Sequence, residues 1–173
     1  MPILAPWFQV CNRAVTRAQP RIAAALLLAT ALALSFSAAA QSPPRPEALI
    51  KWRQSAYQVI AWNSGRIKVA LNGSWNAHEV RGAAETLAAV ASSGLPALFA
   101  HGTAQGKGWR ETSASEAVWS DAEKFRALND DFVRETRELA RVAAGGEQKV
   151  VNAQFLKVAG LCKSCHDRFR QTD

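Results

Sequence analysis

Residues 147–170 read EQKVVNAQFLKVAGLCKSCHDRFR, and the rest of the chain is read outward from this stretch. Val151, Phe155, Val158, Cys162, Cys165 and Phe169 recur at intervals of three and four, the period of one face of an α-helix. Near the C-terminal end of that face stands Cys162-Lys163-Ser164-Cys165-His166, a C-x-x-C-H run. On a helix, positions i, i+3 and i+4 share a side, so two thiols can bond the two vinyl groups of a haem while the adjacent imidazole points at the iron. The run therefore reads as an attachment site for one covalent haem c per chain, with Cys162 and Cys165 bonding the cofactor and His166 as the axial iron ligand.

Three other chemistries use the same residue types and fit less well. A thioredoxin-like C-x-x-C needs a strand before its helix in a βαβ setting, and no such pattern precedes Cys162. A zinc site needs a further ligand, and His78 and His101 stand at unrelated spacings. A plain disulfide between the two Cys makes no use of His166.

Upstream, the apolar residues repeat with helical periods. A first helix is predicted from Pro46, suited to the first helical turn, to Asn72-Gly73, with Leu49, Trp52, Ala56, Ile60, Ile67 and Leu71 turned inward. A second starts at Asn76, three residues before Glu79 as in a capping box, and carries Val80, Ala84, Leu87 and Val90 inward until Gly94-Leu95-Pro96. Residues 101–115, rich in Gly, Ser and Thr, read as a surface connection long enough to be functional or mobile. A third helix is announced by Ser120-Asp121-Ala122-Glu123, another capping-box pattern, with Ala122, Phe125, Phe132, Leu139 and Val142 inward until Gly145-Gly146. The quoted stretch is the fourth. Four helices joined mostly by short connections predict an all-α fold, an antiparallel four-helix bundle carrying covalently attached haem.

The N-terminus has a different character. Arg13, Arg17 and Arg21 precede an Ala- and Leu-rich run, Ile22 to Leu34, and Ala38-Ala39-Ala40 follows as an A-x-A pattern. That order is a secretory signal peptide, residues 1–40, cleaved to leave a haem domain of residues 41–173 in the periplasm with no membrane insertion. Cleavage removes three Arg and no acid, lowering the formal charge from +7 to +4, and the remaining cations form no block of the kind that binds nucleic acid. It also removes Met1, the single Met of the sequence, so Met cannot complete the iron coordination. A six-coordinate low-spin electron carrier would instead need a ligand such as His78. A peroxidase-like haem enzyme would want a distal His and Arg pair.

Beyond the haem motif, Lys51-Trp52-Arg53-Gln54-Ser55-Ala56, Trp119-Ser120-Asp121-Ala122 with Phe125, and the run from Cys162 to Arg170 resemble the cytochrome c′ family, the class II c-type cytochromes. The resemblance spans essentially residues 41–173. It implies a homodimer formed through the first and second helices, with five-coordinate, largely high-spin iron. It further implies binding of nitric oxide (NO) and carbon monoxide (CO), single-electron transfer with an unidentified redox partner, and no substrate turnover. Tyr57 matches the family's distal cap and shares a face with Ile60. Phe125 packs at the haem. Arg53 and Gln54 stand at the haem periphery near a propionate, and Arg170 is the basic residue of the proximal side. Departures concentrate in one region: Leu95-Pro96 is followed by Ala97-Leu98-Phe99 where the family often has an aromatic, and the segment from Gly102 to Trp119 is extended.

Overall fold

A computed structural model describes residues 43–171, so the signal-peptide reading, including Met1, Arg13, Arg17, Arg21 and cleavage after Ala40, lies outside the described residues. Four long helices, α1 (Pro46–Asn72), α2 (Ala77–Ala91), α3 (Ala122–Ala144) and α4 (Gln148–Phe169), carry the fold, with a 3₁₀ turn at Leu95–Leu98 and one helical turn at Ala117–Ser120. Packing is sequential: α1 lies on α2, α2 on α3 and α3 on α4. With hairpin connections at Gly73 and Gly145-Gly146, this is an antiparallel four-helix bundle. The backbones of α1 and α4 are not a closely packed pair.

Most helix ends follow local chemistry. Pro46 opens α1 with Glu47 in the first turn, and Asn76 Oδ1 accepts from the Glu79 backbone N–H at 3.2 Å to cap α2. Gly94 takes the left-handed conformation (φ 83°) beyond the end of α2. The start of α3 corrects the capping-box expectation. The helix begins at Ala122, but Ser120 belongs to the preceding helical turn and the residue at the cap position, Asp121, makes no side-chain cap. Its carboxylate instead accepts from Arg168 Nε at 2.7 Å, tying the start of α3 to the end of α4.

Ile60, Ile67, Val80, Ala83, Ala84, Leu87, Leu139, Val151 and Val158 form the main core. A smaller cluster, Ala114, Val118, Phe125, Leu128 and Phe169, sits at one end of the bundle. At the opposite end Trp75 Nε1 donates to Gly146 O at 3.2 Å and Gln148 Nε2 to Leu71 O at 3.2 Å, joining the two hairpin turns. Trp52 is the second correction. The helical period places it among the inward residues of α1, yet the buried face runs through Ile50, Arg53, Ile60, Asn63, Ile67 and Ala70, and Trp52 lies half exposed outside it. Its position on the helix lies toward the outer side, and a polar residue, Arg53, holds the buried position beside it.

Candidate functional site

Cys162 and Cys165 are free and half-buried on α4. One turn of helix places them against different clusters: Cys162 packs on the main core and Cys165 on the smaller one. Burial pushes both thiols up, Cys165 to about 11, so both are protonated at neutral pH. Among the described residues, no three His, Cys, Asp or Glu side chains converge into a metal cage. His166 follows with an imidazole whose pKa is lowered, first by burial and then by the positive charge of Arg170. The neutral ring this favours is the form that binds a metal. Arg170 is therefore close to His166 while itself exposed, and its backbone N–H closes α4 on His166 O at 3.3 Å.

A run of aromatic rings borders the motif. Tyr57 of α1 meets Phe99 edge-on at 6.3 Å between centroids, Phe99 meets Phe125 at 4.9 Å, and Phe125 meets Phe169 at 5.3 Å. Phe125 is buried, as is Ile60, one turn beyond Tyr57. Tyr57 lies within electrostatic reach of both thiols, and burial raises its hydroxyl well above the usual phenol range, with the thiols adding to the effect and Arg53 opposing it. The phenol stays protonated.

Arg53 is 3% exposed, so it is not a solvated surface cation. Burial lowers its pKa, but a guanidinium remains charged at neutral pH. Nη1 donates to Leu98 O at 3.3 Å and Thr103 Oγ1 at 2.7 Å, and Nη2 to Thr103 O and Thr112 Oγ1, both at 2.6 Å. Its Cζ also lies 4.7 Å from the Phe99 ring centroid. Gln54 continues the contact: Nε2 donates to Arg110 O at 2.9 Å, and Oε1 accepts from the Trp109 N–H at 2.8 Å. Segment 99–115 is thus strapped onto α1. Its far end pairs with the chain just past the motif, where Ser115 N donates to Phe169 O at 2.9 Å and Gln171 N to Ser113 O at 2.8 Å. The strap joins the helix of Tyr57 to the end of the helix of His166.

His78 occupies the other end of the bundle. It is exposed on α2, and the thirteen residues from there to Ala91 rise about 20 Å. It lines a shallow surface hollow with Arg81, Gly82 and Glu85. A second hollow lies along the outer side of α3 around Arg134, Arg137 and Arg141. Neither hollow includes any residue of the C-x-x-C-H run. His101 is exposed at the start of the strap.

Residues 48–170 match the model of the family described as Cytochrome C′. The chain belongs to the cytochrome c′ family. A cytochrome c′ of Rhodocyclus tenuis is 48% identical over 132 residues, covering 76% of this chain and 99% of that protein. One from Allochromatium vinosum is 40% identical over 147 residues, 85% of this chain and 94% of that protein. The crystal structure of cytochrome c′ from Thermochromatium tepidum aligns with a TM-score of 0.73 at 37% identity, covering 76% of this chain and all of that one. A further cytochrome c′ structure, with the same score and identity, is described as showing an unusual ligand-controlled dimer dissociation. Variants of the Alcaligenes xylosoxidans protein are described in complex with NO and with CO, at 28% identity and a TM-score of 0.66.

Membership makes the chain a cytochrome c′ haem protein, of a family that is generally non-enzymatic and implies covalent haem c. The donor set fits that group. It offers two neutral thiols one helical turn apart, a neutral imidazole at the next residue, and apolar walls from both clusters. The strap is what sequence reasoning missed. The composition of 101–115 marks a functional or mobile surface connection, and nothing local in 99–115 reveals that its polar groups are satisfied by Arg53 and Gln54, some 45–59 residues earlier.

Proposed function

We propose that the chain is exported with cleavage after Ala40 and works in the periplasm with one haem c bonded to Cys162 and Cys165 and coordinated by His166. The iron is five-coordinate and largely high-spin, and the protein binds NO and CO and passes single electrons rather than turning over a substrate. When bound, the haem supplies a one-electron couple and a coordination position for a neutral diatomic gas.

The observation that carries this reading is what α1 presents toward the motif. Tyr57 is a phenol that burial keeps protonated, and Ile60 is aliphatic, so neither is a strong iron ligand. Met is absent from residues 41–173, and His78 stands at the opposite end of the bundle. A distal His and Arg pair for peroxide chemistry also has no support: Arg53 spends both Nη atoms on the strap and has no His beside it on α1. Arg53 and Gln54 stand at the haem periphery, Phe125 packs within the aromatic run, and Arg170 accompanies His166. The NO and CO complexes of the Alcaligenes xylosoxidans variants support the choice of ligands.

No described helix is long and apolar enough to cross a membrane. A homodimer through α1 and α2 is supported by the outward side of α1, where Trp52, Val59, Trp62 and Val69 are exposed. The absorption spectrum of the haem-loaded protein tests the coordination. Broad high-spin bands are expected in both oxidation states, and a sharp, split low-spin pattern in the reduced protein would remove the open-site reading.

A further inference from the structure

Three tryptophans stand on the surface near one another in the fold: Trp52 is 50% exposed, Trp62 69% and Trp109 59%. Trp52 and Trp62, with Val59 and Val69, fall within about 100° of arc on α1 and form a stripe about 26 Å long. Trp109 belongs to the strap, yet its partners Lys51 and Ser55 lie in the same arc. The strap therefore sets a third indole at the N-terminal end of the stripe.

The tip that presents Trp109 is a built structure. Thr112 N donates to Gly106 O at 2.9 Å and Gly108 N to Arg110 O at 3.0 Å, closing the turn. Gly108 is pressed onto α1, where an added Cβ would stand 2.7 Å from the Lys51 backbone and 2.6 Å from Gln54 Oε1. Trp109 N donates to Gln54 Oε1 and Nε1 to Ser55 Oγ, each at 2.8 Å, and Lys51 Nζ lies 3.9 Å from the ring centroid. An indole held this firmly in an exposed position has already lost most of the freedom that association would cost it, and Trp is enriched among the residues that dominate interface energetics.

We propose that Trp109 is an anchor of the interface between two copies of this chain, buried with Trp52 and Trp62 where the α1 faces meet. The inference rests on the homodimer reading and adds the strap to it. Charge favours a second copy as the occupant. Of the two cations in the arc, Arg66 is paired with Glu79 and Lys51 rests over the Trp109 ring at one end of the stripe, so the apolar stretch between them carries no free charge that would recruit an oppositely charged partner. A two-fold axis brings the same residues together from both sides. The exposed parts of the three indoles amount to roughly 300–400 Å² per copy, a large share of the ~800 Å² that each partner buries in a standard interface.

Sedimentation of the haem-loaded protein tests this, with circular dichroism and the haem spectrum confirming the fold of each variant. Trp109→Ala is expected to raise the dimer dissociation constant by at least about tenfold. Trp62→Ala should weaken the dimer comparably, and Gly108→Ala should weaken it by dislodging the tip and displacing the indole without removing it. If Trp62→Ala dissociates the dimer while Trp109→Ala and Gly108→Ala leave it unchanged, the homodimer reading survives and the anchor is refuted. A parent protein that is monomeric at every concentration refutes the homodimer reading itself.

Discussion

Tyr57→Ala will bind CO about ten- to a hundredfold faster than the parent protein, which corresponds to ~1.4–2.8 kcal/mol removed from the barrier. The phenol is held against Phe99 at 6.3 Å and packs on the main core within reach of both thiols. A gas approaching the haem from the α1 side has to move that ring, and the cost of moving it enters the association step. Replacing the ring by a methyl group removes the obstacle while leaving Ile60 and the motif in place. Stopped-flow mixing or recombination after flash photolysis reads the rate directly. An unchanged association rate would show that the phenol does not gate entry.

Arg53→Met will lower the stability of the haem-loaded protein by about 2–4 kcal/mol, although Met fills much of the same space. Hydrogen bonds from a charged donor are worth ~1.5–3 kcal/mol each, and the gross loss is reduced because burying the cation without a carboxylate partner was itself costly. What remains uncompensated is Thr103 O, inside a fully buried residue, together with Leu98 O and Thr112 Oγ1, which lose the same donor. The strap should loosen along with them, so its peptide bonds should become sensitive to limited proteolysis before the bundle unfolds. A denaturation midpoint indistinguishable from that of the parent would contradict the clamp.

These two residues show how unevenly the sequence discloses the site. The fourth helix and its C-x-x-C-H run were legible because their signals are local: a three-and-four period, then three reactive side chains within five positions. Helix starts at Pro46 and Asn76 were legible for the same reason, since a cap is a short-range event. The capping box at Ser120 and Glu123 does not form, because Ser120 lies in the preceding helical turn and the Asp121 carboxylate at the cap position binds a distant group, Arg168. Trp52 is not a core residue because its angular position on α1 lies at the edge of the apolar stripe, while the polar Arg53 occupies the buried position next to it. Composition marks 101–115 as a functional or mobile connection but does not reveal where it is seated. Its glycines mark a turn, but the energy that seats it comes from Arg53, Gln54 and Lys51 on α1. Tyr57 was placed on the distal side by resemblance to the family, and its burial and raised pKa come from packing that no short window contains.

The most direct test is the intact mass of the protein matured in a periplasm with its haem-attachment machinery. A polypeptide beginning at Gln41 and carrying the mass of one haem, retained after denaturation and lost when Cys162 and Cys165 are both replaced by Ser, is the expected result. Bare polypeptide, or haem that washes away on denaturation, would contradict covalent attachment at this motif and every reading of the site built on it.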